Sequence, residues 1–116
     1  MATWDPRARA LFGAAWAVGA LATTQGAGIA AIALAAPVGP FGVVKSPAPF
    51  DQPWFDENPD AKYLPICHVL KALSGFNGPR HRIEGLPKGL AGIAASDGAA
   101  RRVLITTVSE STLDIP

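Results

Sequence analysis

From Ala10 to Val44 the chain runs for thirty-five residues without Asp, Glu, Lys, Arg or His, bounded by Arg9 and Lys45. The whole protein has 116 residues, 16% of them charged. So long an uncharged run has few stable fates: lipid, the export machinery, or burial against other polypeptide. Its start reads as helical. Asp5-Pro6 offers a capping carboxylate followed by a residue suited to the first helical position. Helix-compatible residues continue from Arg7, with bulk at Leu11, Phe12, Trp16, Val18 and Leu21. Gly26-Ala27-Gly28 is the first plausible break, apolar character resumes from Ile29 to Ala36, and Pro37 and Pro40 forbid continuation.

One helix over about 6–36 would be roughly 45 Å long, more than the ~30 Å hydrocarbon core requires. The expected architecture is therefore mainly α with irregular segments. One N-terminal transmembrane helix leads through a Pro-rich extended connector to a small extramembrane part with a short helix and one strand. The corresponding division is 1–9 as N-terminal flank, 10–36 as transmembrane anchor, 37–64 as Pro/aromatic-rich connector and 65–116 as docking region.

Small residues recur in the span. Gly13, Ala17, Ala20 and Thr24 lie on one side of a helix, where close backbone approach and threonine hydrogen bonding would favour a helix-packing interface in lipid. Arg7 and Arg9 precede the span and only Lys45 closely follows it. That asymmetry predicts a cytoplasmic-side N-terminus with the C-terminal region on the opposite side. A signal peptide competes, since the same arginines, an apolar Leu11–Leu21 and the small-x-small Ala20-Leu21-Ala22 fit cleavage after Ala22. The resumption of apolar residues at Ile29 favours a retained anchor.

Seven of the eleven prolines fall between Pro37 and Pro65, which predicts extended backbone with no regular ladder. Within this connector Trp54 and Phe55, with Arg80 and Arg82 beyond it, are the expected contacts to a membrane surface or a partner. Asp56, Glu57 and Asp60 lack the spacing of a calcium loop and read as a solvated turn. Pro65 can open a helix running to about Ser74 and closed by Gly75, with Ile66, Val69, Leu70 and Leu73 on one face. Cys67, the single cysteine, adjoins His68, but with His81 as the only other histidine no metal ligand set is complete. Neighbouring residues on a helix also point too far apart to act as a nucleophile and its base. Phe76-Asn77-Gly78-Pro79 predicts a turn and Leu90–Ala95 a short helical turn. Arg101–Ser109, rich in β-branched residues, predicts a strand that pairs near Gly42–Val44 or Arg82–Glu84, or with a partner's sheet.

Residues 45–116 balance eight basic against eight acidic side chains, so no basic stripe suggests nucleic acid. No triad, carboxylate pair or phosphate loop can be assembled, and no cofactor, metal or catalytic residue is expected. The expected function is a non-catalytic accessory or stabilising subunit, partnered by other membrane protein subunits and the lipid bilayer. Alternatives are an exported protein, or a structural component of a particle such as a capsid or tail.

Overall fold

The computed structural model of the chain describes residues 6–39 and 41–109, the side chains of Pro6, Pro53 and Trp54 excepted. After a 3-10 turn at Pro6–Arg9 come helix α1 (Leu11–Thr23) and strands β1 (Ala36–Val38) and β2 (Gly42–Val44). Helices α2 (Pro53–Glu57) and α3 (Ile66–Ser74) follow, then strands β3 (Arg80–Arg82), β4 (Leu90–Ser96) and β5 (Arg101–Thr107). This is a small mixed α/β fold with two sheets, and the expectation of a mainly helical chain is corrected accordingly.

The largest departure is the length of α1. Thirteen residues rise only about 20 Å, and no described helix is long and apolar enough to cross a membrane. The chain's own polar side chains account for the stop. Thr23 Oγ1 donates to the Gly19 carbonyl at 2.9 Å, while Thr24 Oγ1 and Gln25 Nε2 both donate to the Leu21 carbonyl at 3.0 Å. The last-turn carbonyls are thereby occupied, and Gly26 then turns away with φ of +82°. Thr24, read as a group that bonds across a membrane interface, instead helps Gln25 end the helix. The transmembrane anchor over 10–36 and the two-sided topology are withdrawn on this ground. The expected Asp5 cap lies outside the described residues.

At the sheet, β3, β4 and β5 form an antiparallel meander. The strand foreseen at Arg101–Ser109 is observed as Arg101–Thr107, but its partner is Leu90–Ser96, the stretch expected to be a helical turn. Alternation explains the error. Ile93 and Ala95 point inward and are buried, whereas Gly92 has no room for a Cβ between the Leu104 carbonyl and the side chains of Ile83 and Ile105. That two-residue period belongs to a strand. Asp97 closes the β4–β5 turn, its Oδ1 accepting the N–H groups of Ala100 at 2.8 Å and Ala99 at 3.2 Å.

The core has two connected parts. Ala14, Ala17 and Val18 of α1 pack with Leu64, Ile66 and Val69, while Leu21 packs with Phe76, Ile93 and Ala95. Leu34, Leu73 and Leu104 touch both groups. Helix α3 occupies Ile66–Ser74 with Gly75 as its C-cap, the bounds its sequence foretells.

Ile93 is wholly buried, so Ile93→Ala should cost about 2–5 kcal/mol in urea unfolding. Val103→Ala, on the exposed sheet face, should cost under about 1 kcal/mol. The Asp97 carboxyl is held below the ordinary carboxylate range, first by the Ala100 N–H and then by that of Ala99. A lowered folded-state value means that its contribution is complete above the ordinary range and fades as pH falls through the folded value. Asp97→Asn should therefore flatten the acid limb of the stability curve, and a carboxyl NMR titration of Asp97 should show the low midpoint directly.

Candidate functional site

Two features stand out, and both lie between α1 and α3. The first is an apolar stretch with no backbone partner among the described residues. Residues 26–33, Gly-Ala-Gly-Ile-Ala-Ala-Ile-Ala, are all exposed, with Ile29 at 52%. Among the described residues, no backbone hydrogen bond joins 28–35 to another segment. Near-continuous apolar runs are the mark of strands buried on both faces of a parallel sheet. Here such a run stands with both edges unpaired.

The second feature is the connection that follows. β1 and β2 form a parallel ladder of two pairs, Ala36 with Gly42 and Val38 with Val44. So tight a parallel return depends on glycine. Gly39 has φ of +110°, and a Cβ on Gly42 would strike the Val38 backbone. From β2 the chain continues into an antiparallel bridge between Val44 and Tyr63. The Lys45 N–H donates to the Lys62 carbonyl at 2.8 Å and the Leu64 N–H to the Val43 carbonyl at 2.9 Å. The connector foreseen as lacking any ladder thus contains strands, a bridge and α2.

The connection encloses an open cavity of about 680 Å³, walled by residues 44–52 together with Asp56, Pro59, Ala61 and Lys62. Its groups are well tied. Lys45 Nζ donates to the Phe55 carbonyl at 2.6 Å and sits 5.6 Å from that ring's centroid. The buried Gln52 donates its Nε2 to the Ser46 carbonyl at 3.2 Å, and its N–H to Asp56 Oδ2 at 2.7 Å. Nearby, the buried Arg9 guanidinium stacks 4.6 Å from the Phe50 centroid, and its Nη1 finds no hydrogen-bond partner among the described residues.

The residues singled out from sequence are scattered across the fold. Ala17, 2% exposed, belongs to the chain's own core, and a Cβ at Gly13 would collide with the Ala8 carbonyl. Ala20 is half-buried and Thr24 caps α1, so the four do not form a free packing stripe. Phe55 is engaged by Lys45. The Trp54 side chain lies outside the description. Arg80 and Arg82 are exposed on a three-residue edge strand, where short length and charge discourage further pairing. Cys67 is half-buried and His68 exposed. No group of three or more His, Cys, Asp or Glu suited to a metal ion occurs among the described residues. His81 Nε2 and Ser96 Oγ lie 3.0 Å apart, but on the exposed sheet. Lys45, Lys62 and Gln52 were missed as site residues. The one signal for Lys45 was its place at the end of the uncharged run.

The family described as D-apionate lactonase, TIM barrel domain, matches residues 1–78. The chain belongs to this family. No curated protein and no solved structure matches it. The match ends just before β3, so it takes in α1, the unpaired apolar stretch, the cavity-forming connection and α3, and leaves out the antiparallel sheet. A complete (β/α)8 barrel needs eight parallel strands and typically about 250 residues. The described residues hold one short parallel pair. Membership in a family defined by an enzyme's domain does not support the expectation of a chain unconnected with catalysis.

If Gly13 and Ala17 serve the chain's own packing, Gly13→Ala should lower stability by about 1–3 kcal/mol, and by the same amount at every protein concentration. A loss that disappears on dilution would assign Gly13 to an intermolecular contact instead.

Proposed function

We propose that this chain supplies one unit of a lactonase-family barrel, and that alone it hydrolyses no lactone. The unit is α1, the apolar stretch 28–35 as a barrel strand, the connection 39–65 as the loop after that strand, and α3 as the following helix. The observation that carries this reading is the apolar backbone of 28–35, unpaired throughout and exposed over 28–33, between α1 and α3. Such a segment is costly in water and makes sense as a strand whose neighbours come from further barrel strands. Barrel active sites are built from the loops after the strands. On this reading the cavity in 39–65 lies at the face where a lactonase of this family holds its substrate.

This keeps one part of the expected role, that of a piece acting within a larger assembly, and discards its membrane. The work is structural with respect to the barrel and contributory with respect to the site, since the described residues bring together no nucleophile, base and oxyanion donors in a cavity. The test is complementation. A family barrel lacking its corresponding helix–strand–helix unit is mixed with this chain, and hydrolysis of D-apionate lactone is followed by acid release. Activity from the mixture, with none from either component, is expected. Turnover by this chain alone, or an inactive mixture in which the two polypeptides nevertheless associate, would contradict the proposal.

A further inference from the structure

We infer that the free edge of β5 docks a second copy of this chain, the two β5 strands pairing antiparallel about a two-fold axis into one continuous sheet. The inference goes beyond the barrel reading and does not depend on it, since β5 lies outside the family match over 1–78.

The β3–β4–β5 meander has two outer edges, and they differ in kind. β3 is three residues long and carries Arg80, His81 and Arg82, a short charged edge of the sort that resists further pairing. β5 is seven residues long, has no proline, and pairs with β4 residue for residue without a bulge. Two hydrogen bonds fix which of its backbone groups face outward. The Asp97 N–H donates to the Ala100 carbonyl at 3.2 Å, and the Ser96 N–H donates to the Pro79 carbonyl, on the β3 side, at 3.2 Å. Asp97 and Ala100 are thus a hydrogen-bonded pair of the hairpin, and such pairs recur at every second residue. Arg102, Leu104 and Thr106 therefore turn their backbone groups to β4, while Arg101, Val103, Ile105 and Thr107 turn theirs away from it. Among the described residues nothing pairs with that outward row. A long, regular, unpaired edge is a template for strand addition.

The side chains select the occupant. Val103 and Val108 are 57% and 51% exposed, and the only charges of the strand, Arg101 and Arg102, stand at its start. An antiparallel copy centred on Leu104 sets Val103 against the copy's Ile105, and Arg101 and Arg102 against the copy's Thr107 and Thr106. β-Branched residues then meet across the strands and no like charges oppose each other. A parallel copy would align each arginine with its counterpart. The next charged residues in the sequence after β5 are Glu110 and Asp114, so antiparallel pairing runs the basic start of one strand towards the acidic continuation of the other. Thr106 and Val108 also wall an open apolar groove of about 580 Å³ with Trp16 and Gly19 of α1, which adds apolar surface at the same end of the strand. Two-fold pairing satisfies both open edges at once and leaves only the charged β3 edges outermost, so the assembly closes as a dimer.

Sedimentation equilibrium of the full chain should show reversible monomer–dimer association with a Kd on the order of 10–100 µM, the weak range fitting an interface built on one strand pair. Amide exchange locates the contact. In dilute solution the amides of Arg102, Leu104 and Thr106 should be protected and those of Val103, Ile105 and Thr107 should exchange fast. The fast set should slow about tenfold once about nine chains in ten are dimeric. Val103→Pro removes an N–H that β4 does not use, and should give a folded monomer. Val103→Lys, which keeps the backbone intact at an exposed position, should weaken association at least about tenfold, and it decides the matter if the proline variant fails to fold. A chain still monomeric at about 1 mM would overturn the inference. So would a dimer that protects 28–35 and leaves the outward β5 amides fast, or one as tight in Val103→Lys as in the parent chain. Protection of those amides only on adding the barrel polypeptide of the complementation test would give the edge to that partner and overturn it equally. Self-association and complementation are read separately, so either reading can fail without the other.

Discussion

Everything in this fold leans on one face of α1. Ala14, Ala17, Val18 and Leu21 recur at helical spacing and bury themselves against α3 on one side and the β4–β5 hairpin on the other. Small residues at 14 and 17 let the backbones approach, and Val18 and Leu21 fill the gap to the sheet. Because α1 belongs to both parts of the core, it ties the family-matched region to the antiparallel sheet beyond it. The helix's opposite side has no such use. Leu11 and Trp16 are 78% and 62% exposed, an apolar outlay that fits a helix packed in a larger body better than one facing water.

Where α1 stops determines what comes next. Three polar side chains occupy its final carbonyls, Gly26 turns the chain, and the apolar stretch is delivered away from the helix without a ladder of its own. The chain then coils through β1 and β2, and the Lys45–Lys62 pairing closes the connection into a cavity before α3 returns to the core. The unpaired apolar stretch and the walled loop are close in sequence. That order is the one in which a barrel presents a strand and then the loop at its catalytic face.

Much of this could be read from the residues, but not its meaning. Helix α3 and strand β5 follow from local signals, an apolar face closed by Gly75 and a β-branched run from Val103 to Val108. The uncharged run was read as a membrane anchor, and α1 is too short to be one. Composition cannot distinguish lipid from the interior of a parallel sheet, since both select the same side chains and in both the backbone must be satisfied. The difference lay in Thr23, Thr24 and Gln25, whose bonds to their own helix are a matter of geometry. β4 was misread because Ala91, Gly92, Ala94 and Ala95 mute its period, and only pairing with β5 reveals it. The lysine pair was illegible because residues 45 and 62 are joined by a bridge that no local pattern encodes.

Amide hydrogen exchange over residues 28–35 tests the central claim most directly. The account predicts that in the isolated chain these amides exchange at nearly the rate of an unfolded peptide while those flanking Ile93 are protected. It also predicts that protection spreads through 28–35 when the remaining strands of a family barrel are added. Amides at 28–35 already protected in the dilute isolated chain, or still unprotected in an associated complex, would show that this stretch is not a barrel strand awaiting its neighbours.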